Sequence, residues 1–243
     1  MAYFPESKGQ ERLNDRAHDE LRELSMETGL LSQSDGSCQF SFQNTCVLAS
    51  VHGPMEPKSS RKELIDRACI EVYLKPAQGQ QGSEERDYEV LIRGILEEVS
   101  QTQSFPRTVI TISLQVINAD GSLLPCAVMA AACALIDAGI PLFAIPSACC
   151  CAISQEGQPL LDQDAEEEDQ SRATVFVCTK TDEGNSKASS VLSILSDGAI
   201  TREELNSCLL LCMRGCSAAR AFVTLSLKET EKSRLTLTKS DLE

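Results

Sequence analysis

The chain has 243 residues, 42% of them hydrophobic, and a formal net charge of −14. That apolar content is enough for one sizeable packed core and excludes wholesale disorder, while the acidic balance disfavours nucleic-acid binding by the isolated chain, which rests on Lys and Arg neutralising phosphates. No apolar run approaches the roughly 18 residues of a membrane span, the opening MAYFPESKGQERLNDR is too charged for a signal peptide, and zero Trp leaves few platforms for stacking bases.

Residues 1–20 are polar and read as a lead-in outside the core. Short strands follow: Leu21–Thr28, a turn at Asp35-Gly36, Ser37–Phe42, and Cys46–Val51, ended by Gly53-Pro54. Met55–Asp66 reads as a polar loop carrying Lys58, Arg61 and Lys62, with Arg67 just beyond it. Ala68–Leu74 alternates again, with Ile70, Val72 and Leu74 on one face. After the break at Gly79–Ser83, the spacing of Tyr88, Leu91, Ile92, Ile95, Leu96 and Val99 predicts a helix over about Glu84–Ser100.

Residues 105–141 carry the most local information. Ile110, Ile112, Leu114 and Val116 alternate with Thr111, Ser113 and Gln115, the pattern of a half-buried strand. Asn118–Ser122 is a turn, and Pro125 suits the first turn of a helix built almost wholly of small apolar residues, which Gly139 and Pro141 stop. A glycine turn opening a helix is a ready anion site, because free N–H groups and the helix dipole point outward. Here it reads Asp120-Gly121-Ser122-Leu123-Leu124, with no Arg or Lys beside it.

Strands are predicted near Ser147–Ile153, Ala173–Cys178 and Val191–Leu195, with a strongly acidic loop between the first two. Thr201 and Glu204 match a capping box for a last helix striped by Leu205, Cys208, Leu209, Cys212 and Cys216. The tail at 229–243 is polar and expected to fray. Strands before a long helix, twice over, make an α+β pattern: one domain at 21–228 with an internal pseudo-repeat. The twelve cysteines contain no Cys-x-x-Cys pair and read as small buried hydrophobes of a reducing compartment, with a thiolate metal site as the alternative.

Arg12, Arg16, Glu20 and Arg22 stand at the spacing of a family's opening Arg-x-Asp-Gly-Arg-x3-Glu-x-Arg segment, with Asn14 and Asp15 replacing its central Asp-Gly. Ser34–Ser37, Asn44-Thr45, Val47–Pro54, Phe105–Thr108, Gln115-Val116 and Leu135–Pro141 then follow in that family's order. Over residues 12–227 the chain resembles the RNase PH family of phosphorolytic 3′-to-5′ exoribonucleases and exosome ring subunits. The turn at 120–124, Glu71-Val72, Lys75-Pro76, Gly79 and Gly82 are similar to the eukaryotic exosome branch. The resemblance implies the RNase PH-like fold (ribosomal protein S5 domain 2-like). It also implies a six-membered ring of RNase PH-like chains with S1/KH cap proteins. RNA is then handled by the assembled complex, in rRNA processing and RNA degradation, in the nucleus, nucleolus and cytoplasm. No membrane partner is implied.

Active members of that family place a Thr/Ser-Arg pair after the glycine turn. Here Gly121 and Ser122 remain, but Leu123 stands in the arginine's place and cannot donate to phosphate. Arg86 matches another anion-binding arginine of the family, or is a surface residue of its charged run. The segment Leu161–Asp169 resembles the family's Leu-Asp-x-Asp-x-x-Glu-Asp, whose active members carry a further catalytic Asp ten residues past the second Asp; that position is Thr174. Asp162 and Asp164 would point the same way if extended and could share Mg²⁺ or Mn²⁺, or simply belong to a solvated acidic run. His18 and His52 sit in no nucleophile motif. Lys58, Arg61, Lys62 and Arg67 are the candidate RNA contacts, since the resemblance turns that loop toward the ring channel; a solvated charged loop is the other reading.

Three readings stand: a non-catalytic ring subunit with no cofactor, prone to form a homodimer when isolated; a metal-dependent hydrolytic nuclease acting as that homodimer through Asp162 and Asp164; and a fold-mate without RNA function.

Overall fold

The computed structural model describes residues 12, 16–57, 63–182 and 185–240. Nine strands and four helices run β1 (Leu24–Thr28), β2 (Gly36–Phe42), β3 (Thr45–Met55), β4 (Cys69–Lys75), α1 (Ser83–Val99), β5 (Val109–Asn118), α2 (Leu123–Asp137), β6 (Ser147–Ile153), β7 (Pro159–Leu161), α3 (Ala165–Gln170), β8 (Ala173–Asp182), β9 (Asn185–Gly198) and α4 (Arg202–Ser240). They build two sheets, ordered β1-β2-β3-β5-β4 and β7-β6-β8-β9. Every ladder is antiparallel except β4–β5, which α1 joins as a parallel crossover.

Alternation decides which face each strand buries. Phe40, Phe42, Val47, Ala49, Val51, Ile70, Val72, Ile110, Ile112 and Leu114 form the inner face of the first sheet. α2 lies on that face and touches the second sheet on its other side. A helix enclosed on all sides gains from being apolar all round and small: Cys126, Ala127, Val128, Ala130 and Ala134 are each 0% exposed. Gly139, at φ +73°, ends it, with its N–H bonded to Ile136 O and the Ile140 N–H to Leu135 O.

The three consecutive cysteines divide between two cores, because successive side chains of a strand point to opposite faces. Cys150 joins the core around α2, whereas Cys149 and Cys151 meet Cys208, Cys212 and Cys216 of α4. The Cys151 and Cys208 sulfurs are 3.4 Å apart, and all twelve thiols are free. Further along α4, Ala219 and Val223 enter the first core, and Phe222 meets the Phe40 ring edge-on. By length and composition α4 could cross a membrane; here its apolar stripes are taken up by the two cores.

The structure departs from the sequence expectations in four places. Leu21–Glu23 is not strand, because Arg22 turns both main chain and side chain to Asp162. β3 continues past Gly53-Pro54 to Met55 through a register shift. The acidic stretch is not all loop: β7 pairs with β6, and Asp164 caps α3 in a capping box with Glu167. The polar tail beyond 228 remains helical to Ser240, crossing the expected domain boundary.

Candidate functional site

The turn between β5 and α2 faces the segment between β7 and α3. Gly121 lies at φ +70°, where a Cβ would stand 2.4 Å from Gln163 O; glycine is required for conformation and for space. Ser122 is left-handed too, at φ +47°. Its hydroxyl donates to Gln163 O at 3.2 Å, so the hydroxyl that could serve an anion is spent on the chain's own backbone. Ser122 is 2% exposed. Leu123 is half-buried and packs against the first core.

The N–H groups at this helix start already face an anion. The Glu168 carboxylate lies against the Ser122 backbone N–H. Burial pushes its pKa up, the Ser122 hydrogen bond pulls it back, and Asp169 adds to the rise. Tyr88 of α1 borders the same carboxylate, and its pKa is raised by burial first and then by the charge of Glu168. Glu168 is placed there by α3, one helical turn past the cap.

Beneath the turn, three arginines from the start of the chain hold the acidic segment. Arg22 donates through Nε and Nη2 to Asp162 at 3.1 and 2.8 Å; the two side chains are 1% and 2% exposed. Arg22 Nη1 reaches Asp120 O at 2.6 Å, tying the glycine turn to the same guanidinium. Burial works against that charge, but Asp162, then Asp164 and Asp120, outweigh it and hold the Arg22 pKa above its ordinary value. Arg16 donates to Asp164 at 2.7 Å, and Arg12 to Glu167 at 3.0 Å and to Leu161 O at 2.6 Å. Arg12 is therefore not part of a solvated lead-in: it is 6% exposed.

This corrects the metal geometry drawn from an extended Asp162-x-Asp164. Asp162 is at φ +53°, so the segment is not extended there. The cation the two aspartates share is Arg22, 2.8 Å from Asp162 and 3.6 Å from Asp164. Among the described residues no group of three or more His, Cys, Asp or Glu side chains is arranged to hold a metal ion. These carboxylates fit a guanidinium, and no metal-dependent step is derived from them.

Arg86 is exposed in the first turn of α1, and no hydrogen bond among the described residues joins it to the turn at 120–124. Thr174 lies in β8, in register with Ala152 and Asp197. Arg67 is exposed; Lys58, Arg61 and Lys62 lie outside the described residues. His18 borders a cavity of about 830 Å³ with Arg12, Gln155 and Gln170, while His52 borders a groove beside Tyr73. No described hydrogen bond links either imidazole to a serine or cysteine. The arginines of the opening segment and Glu168 are the site residues whose roles the sequence did not reveal. Their signal was present as complementary charge: a basic run near residue 12 and an acidic one near residue 165.

Three comparisons bear on this arrangement. Residues 20–141 match RNase PH, the 3′ exoribonuclease family, domain 1. An Arabidopsis thaliana protein, "Exosome complex exonuclease RRP46 homolog", is 33% identical over 79% of this chain and 77% of its own length. The crystal structure of rice (Oryza sativa) Rrp46 superposes with a TM-score of 0.80 at 30% identity, covering 89% of this chain and all of that one. An archaeal exosome core chain shares the fold, with a TM-score of 0.75 at 18% identity over 88% and 91% of the two chains.

Proposed function

The chain belongs to the RNase PH family of 3′ exoribonucleases, and on that premise we propose that it serves the RNA exosome as a non-catalytic ring subunit. It supports 3′-to-5′ RNA processing and degradation, rRNA processing included, by assembling with other RNase PH-like chains in a six-membered ring beneath S1/KH cap subunits. One observation carries the non-catalytic part. The N-terminus of α2, where phosphorolysis would need an anion pocket with a cation, has Leu123 beside it and faces the chain's own Glu168 carboxylate. Phosphorolysis places a phosphate oxyanion in line with the terminal phosphodiester and stabilises it with positive charge and N–H donors. A carboxylate against those N–H groups repels that oxyanion, and a leucine desolvates the place without charging it.

RNA reaches this subunit through the assembled complex, with Arg67 and the loop bearing Lys58, Arg61 and Lys62 as the contact. The net charge of −14 supports dependence on neighbours. The isolated chain forms a homodimer in their absence, and the assembled subunit resides in nucleus, nucleolus and cytoplasm.

Two experiments test this. Purified chain is incubated with labelled single-stranded RNA and inorganic phosphate; no phosphate-dependent release of nucleoside diphosphates is expected, and its appearance overturns the non-catalytic reading. Tagged full-length chain is purified from cells; RNase PH-like and S1/KH chains should accompany it, and their absence removes the exosome assignment.

A further inference from the structure

An open sheet edge presents a row of unpaired N–H and C=O groups, and folded chains blunt such edges with charges, short strands or covering segments. Three of the four edges here are managed. β4 is covered by α1, whose Glu89 accepts from the Leu74 N–H at 2.7 Å. β7 has three residues, and its Leu161 N–H is taken by His18 O and its Leu161 C=O by Arg12. β1 has five residues and carries Glu27.

β9 is the exception. It runs for fourteen residues at the end of its sheet. Among the described residues, nothing other than β8 bonds the backbone of residues 190–196. Its apolar side chains are exposed as well: Val191 is 42%, Ile194 45% and Leu195 41% exposed. They occupy both faces, since Leu195 is in register with Phe176 and Ile194 with Val177, and those two partners belong to different cores. An apolar surface flanking unpaired backbone groups on both sides is complementary to an extended strand with apolar side chains, and to little else.

We propose that the outer edge of β9 is the homodimer interface of the isolated chain, taking β9 of a second copy in antiparallel register about a twofold axis. Such a contact is self-complementary: each copy offers the groups it needs from the other. The two second sheets become one continuous sheet, and Val191, Ile194 and Leu195 of both copies leave water together. This rests on the homodimer reading above and assigns its surface.

Sedimentation velocity on purified full-length chain, across a concentration series, tests it with the variants Ile194→Lys and Leu195→Lys. Both positions are exposed in the single chain, so each variant should keep the wild-type circular dichroism spectrum and melting temperature of the monomer. Because a twofold contact counts each change twice, self-association should weaken by roughly 100-fold or more. Leu210→Lys, on an exposed apolar position of α4, should leave it unchanged. If the wild-type chain dimerises and both β9 variants dimerise equally well, the surface assignment is wrong and the homodimer stands. If the wild-type chain stays monomeric throughout, both fall.

Discussion

Arg22→Met is the sharpest test of the clamp beneath the glycine turn. The guanidinium and the Asp162 carboxylate are 1% and 2% exposed, so the substitution leaves a buried carboxylate with its countercharge removed. Removing one partner of a buried ion pair costs about 3–5 kcal/mol. Asp120 O loses its 2.6 Å donor at the same time, whereas Gly121 O keeps the Thr45 hydroxyl at 2.7 Å. A loss of about 4 kcal/mol corresponds, for a chain of this size, to a melting temperature lowered by about 8–16 °C. Circular dichroism melts and urea titrations of wild type, Arg22→Met, Asp162→Asn and the double variant read it out. Asparagine is chosen because position 162 sits at φ +53°, a region asparagine tolerates. The double variant should recover much of what Arg22→Met loses, since no unpaired charge remains buried. A loss below about 1 kcal/mol, the scale of an exposed pair, or a double variant no better than Arg22→Met alone, would refute the reasoning.

Three further outcomes are expected. Gly121→Ala forces a side chain into a left-handed position with Gln163 O at 2.4 Å; it should destabilise by at least about 2 kcal/mol in the same melts. Glu168 has its pKa raised by burial, so its contribution to stability is full below its unfolded pKa and is lost as pH rises through the folded one. Glu168→Gln should therefore raise the melting temperature at pH 7, by no more than the few degrees that about 1 kcal/mol allows, and the difference should vanish at pH 3. Glu204 is held down to about 2 by the Thr201 N–H, then by Arg172 and the Thr201 hydroxyl. Its contribution is present above the unfolded value and lost as pH falls toward 2, so Glu204→Gln should flatten the acid limb of a melting temperature–pH profile.

What was legible in the sequence follows from the range over which each signal acts. Period-two alternation placed β2, β4, β5 and β6, and the stripe from Tyr88 to Val99 placed α1, because these patterns are local. The pair Thr201 and Glu204 gave the start of α4 for the same reason. The acidic stretch was misread as loop because charge alone suggests solvation. Its carboxylates are paired instead with arginines 140 to 155 positions away, a distance across which no periodicity extends. The left-handed backbone at Asp162 has no signature in residue type either, and it is what turns the two aspartates from a metal pair into the two arms around one arginine. Leu123 marked the missing cation from sequence alone. That a carboxylate had moved in beside it required knowing where α3 lies.

The Arg22–Asp162 clamp also bears on the order in which the molecule can be made. Synthesis runs from the N-terminus, and domains fold as their chain emerges. While the first sheet and α2 are complete by Asp137, Arg22 has no countercharge until Asp162 has left the ribosome, and Arg12 none until Glu167 has. During that interval the glycine turn has only Thr45 to anchor it, and the inner side of α2 still waits for the second sheet. The opening segment of the chain is thus among the last to be fastened, and a nascent chain stalled before residue 162 would display three arginines, the apolar face of α2 and an unfinished core together.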